Sequence, residues 1–218
     1  MSEVKLIAYT QSKEIAGITS QDIMAYCARV SNPSNQNNSE TAEKLLNYCV
    51  RNKHWSVFEM CNVVIEINTT RDIARQILRH RSFHFQEFSQ RYADPNELGF
   101  ETREFRLQDA KNRQNSIEVN EDNEMTKSWK IKQDQLIHET KLAYKWAIEN
   151  GIAKEQARAV LPEGLTMSRM YMNGAVRDWI HYCQLRMGNG TQKEHRIIAA
   201  DCWTILCNLY PFLETLEI

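Results

Sequence analysis

The chain has 218 residues, 42% of them hydrophobic and 25% charged, and a net charge of −1. That length supports one buried core, so 1–218 reads as a single domain. The near-neutral balance argues against a general nucleic-acid coat, and no apolar run is long enough to span a bilayer.

In chain order, Lys5 to Thr10 reads as a short strand and Asp22 to Val30 as a helix with Ile23, Tyr26, Cys27 and Val30 on one face. The polar run from Ser31, with Pro33 and four asparagines by residue 38, ends that helix. Ser39 then has the character of an N-cap, with Glu40 and Glu43 in the first turn of a helix to about Arg51. His54 to Glu59 follows as a loop. Cys61 to Asn68 alternates β-branched residues as a strand does. Thr70-Arg71 opens a helix whose Ile73, Ile77 and Leu78 line one side while Arg71, Arg75 and Arg79 stack at i, i+4, i+8. We expect it to deliver Arg79-His80-Arg81 as a cationic tip into a polar loop ending at Ser89-Gln90-Arg91.

Residues from about 94 to 128 are polar and irregular, a surface region. A long helix is expected from Glu124 to Asn150, with Trp129, Leu136, Ala143 and Ala147 on one stripe and Gly151 as its C′ residue. A short helix follows, Ala153 to Leu161, stopped by Pro162. A further helix is expected from Thr166 to Met187, carrying Met170, Tyr171, Val176 and Ile180 inward. Thr191 to Glu194 has the spacing of a capping box for the last helix. Helix-rich with a few strands, the chain falls in the α+β class.

The stretch Arg71 to Tyr92 concentrates five arginines, two histidines and two serines. Guanidinium forks bind phosphate or carboxylate oxygens bidentately and stay charged, so the stretch suits an anion pocket. A solvated helix face and a DNA-reading helix are the competing readings; DNA reading needs a wider basic footprint. His80 and His84 stand at i, i+4, a metal-ligand spacing, but flanking arginines repel a cation and no metal is expected. Neither GxSxG, GxGxxG nor a P-loop is present. Arg158, Arg169, Arg177 and Arg186 repeat the cationic theme. On one continuous helix Arg169 and Arg186 would lie about 25 Å apart. The six cysteines form no CxxC pair, which points to reduced thiols and a cytoplasmic protein. The opening MSEVKLIAYT lacks the basic-then-apolar layout of a signal peptide.

Arg79-His80-Arg81, seven residues, then Ser89 resembles the RHR-x7-S signature of the flavin-dependent thymidylate synthases. The resemblance extends over nearly the whole chain: ARVS at Ala28 to Ser31, His54 with Phe58-Glu59, Gln76, Glu87 to Arg91, and ARAVLP before Leu185-Arg186. It implies the thymidylate synthase-complementing protein fold, with a small, mostly antiparallel sheet. It also implies a homotetramer with FAD at subunit junctions, acting on dUMP to give dTMP. Methylenetetrahydrofolate would supply the carbon and NADPH the reducing equivalents. The positions it assigns to FAD are Arg79, His80, Arg81, His54, Ser56 and Ser31, with Arg177 and His181 lining the flavin pocket. Those it assigns to dUMP are Gln76, Glu87, Phe88, Ser89, Gln90, Arg91 and Arg158. Arg186 would lie against the uracil and stabilise charge on it, and Ser89 would bind substrate without attacking it. The chain departs from the family pattern at Ala175, Met60 and His181, and Asn173, two along a helix, would face elsewhere. A non-catalytic nucleotide- or nucleic-acid-binding protein using the same arginines is the alternative from another class.

Overall fold

The structure is a computed structural model that describes residues 2–14, 18–119 and 124–216. In chain order it contains β1 (Glu3–Tyr9), α1 (Ser20–Ala28), α2 (Ala42–Arg51), β2 (Asn62–Thr70), α3 (Arg71–Ile77) and β3 (His84–Glu87). There follow β4 (Arg106–Gln108), β5 (Ser116–Glu118), α4 (Glu124–Glu149), α5 (Lys154–Ala157), β6 (Met167–Ala175), α6 (Val176–Arg186) and α7 (Lys193–Leu209). Four strands make one antiparallel sheet in the order β1-β2-β6-β3, and β4 and β5 form a separate hairpin. The α+β class holds.

The sheet buries one face. Val63, Ile65 and Ile67 of β2 stand opposite Gly174, Met172 and Met170 of β6, all fully or almost fully buried. Each such apolar side chain contributes about 1.5–3 kcal/mol by leaving water. Over them lie α6 and α7, with Trp179, Ile180, Ile198 and Leu206 buried, and α3 with Ile73 and Ile77. Trp179 keeps its indole N–H satisfied by donating to the Val63 carbonyl at 3.1 Å, which pins α6 to β2.

Several expectations change. The helix expected over Thr166 to Met187 is two elements: residues 167–175 are β6, and only Val176 to Arg186 is helical. Met167, Met170 and Tyr171 satisfy a helical spacing, but Ser168, Met170, Met172 and Gly174 are buried while Arg169 and Tyr171 are exposed, a period of two. Pairing with β2 and β3 on either side decides it, a tertiary override of weak local preference. Asn173 and Ala175 therefore share a face. The loop expected after Arg81 contains β3, whose Phe85 stands opposite Met172. Ser39 does not cap α2, which begins at Ala42 after Thr41. The Thr191 box does not form either: Gln192 is the N-cap, without a side-chain cap bond. Thr191 donates its hydroxyl to the Leu185 carbonyl instead, and Glu194 turns toward arginines. On α4 the expected stripe is largely outside, with Trp129 41% and Leu136 49% exposed, while Gln133, Thr140, Tyr144 and Ala147 are buried.

The 94–128 region is anchored where it is described. Glu101 N–H donates to the Leu165 carbonyl at 2.9 Å, and the Gln133 amide exchanges two hydrogen bonds with the Arg103 backbone at 2.7 and 3.0 Å. All six cysteines are free, and no helix of the described residues is long and apolar enough to cross a membrane.

Candidate active site

The signature turn is built by a phenylalanine. α3 stops at Ile77, Leu78 closes it, and His80 N–H donates to the Ile77 carbonyl at 3.0 Å. The chain then reverses, with Phe83 N–H donating to the His80 carbonyl at 3.3 Å. The Phe83 ring fills the space over Gly174, where a Cβ would come within 2.5 Å of it, and meets Trp179 edge-on at 4.8 Å. The tip is thus a tight turn beyond the helix. Arg79 and Arg81 stand exposed on it, with no carboxylate partner among the described residues, while His80 turns inward.

His80 meets the last residue of α6. Arg186 Nε donates to His80 Nε2 at 2.8 Å, and the imidazole packs edge-on against Tyr182 at 4.9 Å. An imidazole that accepts from a guanidinium carries no proton at that nitrogen. Burial first, then Arg186 and Arg79, pushes the His80 pKa down from 6.5 to about 4. Behind it His195 is fully buried, its Nε2 3.1 Å from the Tyr182 hydroxyl and its Nδ1 3.3 Å from Gln76 Oε1. Burial, Arg186 and His80 push His195 to about 3. Gln76 donates Nε2–H to Gln192 Oε1 at 2.8 Å. The ends of α3 and α6 and the start of α7 therefore converge on one polar cluster. Tyr182 and Gln192 had no recognisable chemistry in the sequence, because a lone tyrosine or glutamine on a helix carries no signature; His195 stood out there only as a candidate metal ligand with His54 and His181.

A second group forms beyond β3. Glu87 accepts from the Ser168 hydroxyl at 2.7 Å and lies 3.5 Å from Arg71. Phe88 N–H donates to the Arg169 carbonyl at 2.8 Å, so the strand pairing carries on into the loop. Arg91 N–H donates to Ser89 Oγ at 3.4 Å, and Gln90 is buried with its Nε2 unpartnered. The loop then rests on α5. Arg91 pairs with Glu155 at 3.5 Å, Arg158 donates to the Glu155 carbonyl at 3.4 Å, and Lys154 donates to the Tyr92 carbonyl at 2.9 Å. Arg91 and Arg158 are thereby gathered. Arg169 is on the sheet's outer face, donating to Asn68 at 2.8 Å, away from the helix on which Arg186 sits.

A third group lies at the other end of α6. Arg177 pairs with Glu59, and His181 meets Trp55 edge-on at 4.6 Å, which seats the His54 to Glu59 segment on the helix. His54, Ser56 and Ser31 are exposed. Burial and Arg177 lower the His181 pKa. Arg177 and Arg186 are nine residues apart on α6, so the first and third groups lie about 14 Å apart along one rigid element. Met60, exposed, closes the short helical segment after Glu59.

The structure thus joins Gln76 to His80 and Arg186 rather than to the Glu87–Arg91 segment. Among the described residues no hydrogen bond or ion pair links Gln76 or Arg186 with Glu87, Ser89, Arg91 or Arg158. His84 points from the outer face of β3, so it shares no helical face with His80. No cluster of three metal-ligating side chains occurs among the described residues.

The donor set fits a flavin dinucleotide. Among the described residues Arg79 and Arg81 are two exposed guanidinium groups without a carboxylate partner, the donor type a diphosphate takes, and α6 carries Arg177 and Arg186 near its two ends. Asn173 Oδ1, on β6, is a buried acceptor without a partner among the described residues.

Comparison with known proteins gives concordant results. The family model described as thymidylate synthase complementing protein matches residues 5–212. A probable flavin-dependent thymidylate synthase of Paramecium bursaria Chlorella virus 1 is 48% identical over 207 residues, 95% of this chain and 94% of the relative. A flavin-dependent thymidylate synthase of Synechocystis is 45% identical over 213 residues, 96% of each. The crystal structure of a UMP/dUMP methylase, PolB of Streptomyces cacaoi bound with 5-Br dUMP, superposes with a TM-score of 0.78. It is 22% identical, covers 98% of this chain and is itself covered to 93%, which supports the fold.

Proposed function

The chain belongs to the thymidylate synthase complementing protein family, the flavin-dependent thymidylate synthases, and from that premise we propose how its residues serve the reaction. The enzyme converts dUMP to dTMP with FAD as cofactor. Methylenetetrahydrofolate is the carbon donor and NADPH the source of reducing equivalents in this reading. The observation that carries it is the 2.8 Å contact between His80 and Arg186, which ties the signature turn to the arginine expected against the uracil.

FAD, when bound, supplies hydride, so no protein nucleophile is needed. Arg79 and Arg81 would hold its diphosphate, with His54, Ser56 and Ser31 as further contacts and Arg177 and His181 lining the pocket. Arg177 reaches the cofactor by leaving Glu59. His80 does two things: it packs the turn, and its bare Nε2 fixes the Arg186 guanidinium. Arg186 then presents its remaining N–H groups to a uracil carbonyl. Uracil C5 must become nucleophilic toward the one-carbon unit, and negative charge that spreads onto the carbonyls is stabilised by that preorganised cation. Ser89 and Arg91, with Arg158, bind the nucleotide phosphate. Glu87, held by Ser168 and Arg71, and the unsatisfied Gln90 amide are set to contact the sugar.

Among the described residues no hydrogen bond or ion pair joins the two nucleotide-binding groups. We assign them to one site completed by a second copy, with a homotetramer as the assembly and the exposed apolar side chains of α4 as one of its surfaces. Free thiols throughout fit a cytoplasmic setting. The test is release of tritium from C5 of dUMP, dependent on both NADPH and methylenetetrahydrofolate, by protein that carries oxidised-flavin absorbance. Colourless protein that takes up no added FAD and releases no tritium would overturn the reading in favour of a non-catalytic nucleotide-binding protein.

A further inference from the structure

One carboxylate touches none of the residues assigned to a ligand yet ends a hydrogen-bond chain that reaches Gln76. Glu194, on the first turn of α7, has a side chain only 16% exposed. Its Oε1 is paired with Arg106 and lies 3.5 Å from Arg103, and its Oε2 accepts from Gln192 Nε2 at 2.9 Å. Arg103 is fixed in turn by Asp72 at 2.7 Å. A carboxylate between two guanidinium groups accepts hydrogen bonds and does not donate them.

That fact propagates. Gln192 must turn its NH2 group to Glu194, so its Oε1 faces Gln76 and takes the Gln76 N–H. Gln76 is then left with Oε1 toward His195, so His195 must carry its proton on Nδ1 to donate there. His195 Nε2 is bare and accepts from the Tyr182 hydroxyl. Amide and imidazole orientations are otherwise free to flip, and an acceptor-only group at one end removes that freedom along the whole chain. Gln76 is only partly buried and, among the described residues, commits one N–H of its amide, to Gln192.

We propose that Glu194 is a positioning residue. Through Gln192 it locks Gln76 as a hydrogen-bond donor aimed at a carbonyl oxygen of the pyrimidine ring. Arg103 and Arg106, from the irregular region before α4, hold Glu194 in that role. The proposal rests on the reading of Gln76 as a nucleotide contact.

The experiment has two arms. The first needs no nucleotide: ¹⁵N NMR of histidine-labelled, full-length protein reads the His195 tautomer. The Nδ1–H form is expected in the wild type, with loss of a single tautomer in Glu194→Gln; an Nε2–H form in the wild type sinks the proposal. The second is a double-mutant cycle on dUMP binding by calorimetry. Glu194→Gln and Gln192→Leu should each weaken dUMP about tenfold, the scale of one lost oriented hydrogen bond. Neither should weaken it further in a Gln76→Ala background. Gln192→Leu leaves the Glu194 ion pairs with Arg103 and Arg106 intact, so the prediction survives if Glu194→Gln misfolds. Equal losses in both backgrounds, or no loss in the first, refute the relay. A wild type with the expected tautomer that binds no dUMP would instead refute the nucleotide reading of Gln76.

Discussion

The arginines around α3 fall into two sets that the amino-acid sequence does not separate. Arg71 and Arg75 on the helix, and Arg103 and Arg106 packed beside its N-terminal end and α7, each face a carboxylate: Glu87, Glu163, Asp72 or Glu194. Arg79 and Arg81, one turn further on, face none among the described residues, and Arg186 spends its Nε on a neutral histidine. The charges of the first set are cancelled locally. Among the described residues the second set's charge is met by no carboxylate, which suits the ligand roles proposed for it. Around α3, an arginine's partner tells more than its presence; Arg91 and Arg177, elsewhere, pair with Glu155 and Glu59 and would have to exchange those partners for a ligand.

Removing members of each set should sharpen that contrast. The largest effect belongs to Arg186→Ala. Losing one preorganised donor raises a barrier by about 3–4 kcal/mol, a drop in tritium release of about 100- to 1000-fold. The melting temperature should stay near that of the wild type. Near-normal turnover would remove Arg186 from the chemistry. Next come Arg79→Ala and Arg81→Ala. Each discards a charge-assisted bond and should weaken FAD at least about tenfold, read as flavin absorbance per folded protein. Full flavin occupancy in both variants would dissolve the distinction between the sets.

On the structural side the order reverses between activity and stability. Arg71 and Glu87 are 13% and 23% exposed, so Arg71→Ala leaves a half-buried carboxylate short of its partner. About 2 kcal/mol of stability should go, measured by denaturant unfolding. Arg75 and Glu163 are 62% and 44% exposed, and Arg75→Ala should change stability by less than about 0.5 kcal/mol.

A pH series tests the neutral core between the sets. His80 and His195 titrate near 4 and 3 in the folded chain, below the ordinary 6.5. Both values are depressed, so the unfolded chain takes up these protons first as pH falls. The stability they support is whole above about pH 6.5 and is lost progressively toward pH 4 and below. Melting temperatures of wild type should therefore fall more steeply between about pH 7 and 5 than those of His195→Gln. Parallel curves would show that His195 is not held neutral.

Much of the α-helical frame was legible because α1, α4 and α7 lie in runs of helix-forming residues bounded by turn residues, although the buried face of α4 and the cap of α7 were not. The signature residues were legible because arginine, histidine and serine at fixed spacing have few alternative uses. What was hidden is instructive. Residues 167–175 satisfy both a helical and a strand pattern, and only their neighbours β2 and β3 choose between them. That choice turned Arg169 away from Arg186 and put Asn173 beside Ala175. Gln76 has no local feature that says which arginines it joins; that is set by His195 and Gln192, more than a hundred residues later. Thr191 and Glu194 matched a capping box, but the nearby arginines outcompete a backbone N–H for that carboxylate.

The Phe83 ring lies where a side chain on residue 174 would have to go. Positions 83 and 174 therefore behave as one volume shared by two residues. A methyl group at 174 can be accommodated only if residue 83 shrinks, and a smaller residue at 83 loosens the reversal that holds His80 against Arg186. Substitutions at the two sites should be tolerated in pairs and rarely alone. An inner strand of the sheet thus sets a steric limit on how far the signature turn can drift.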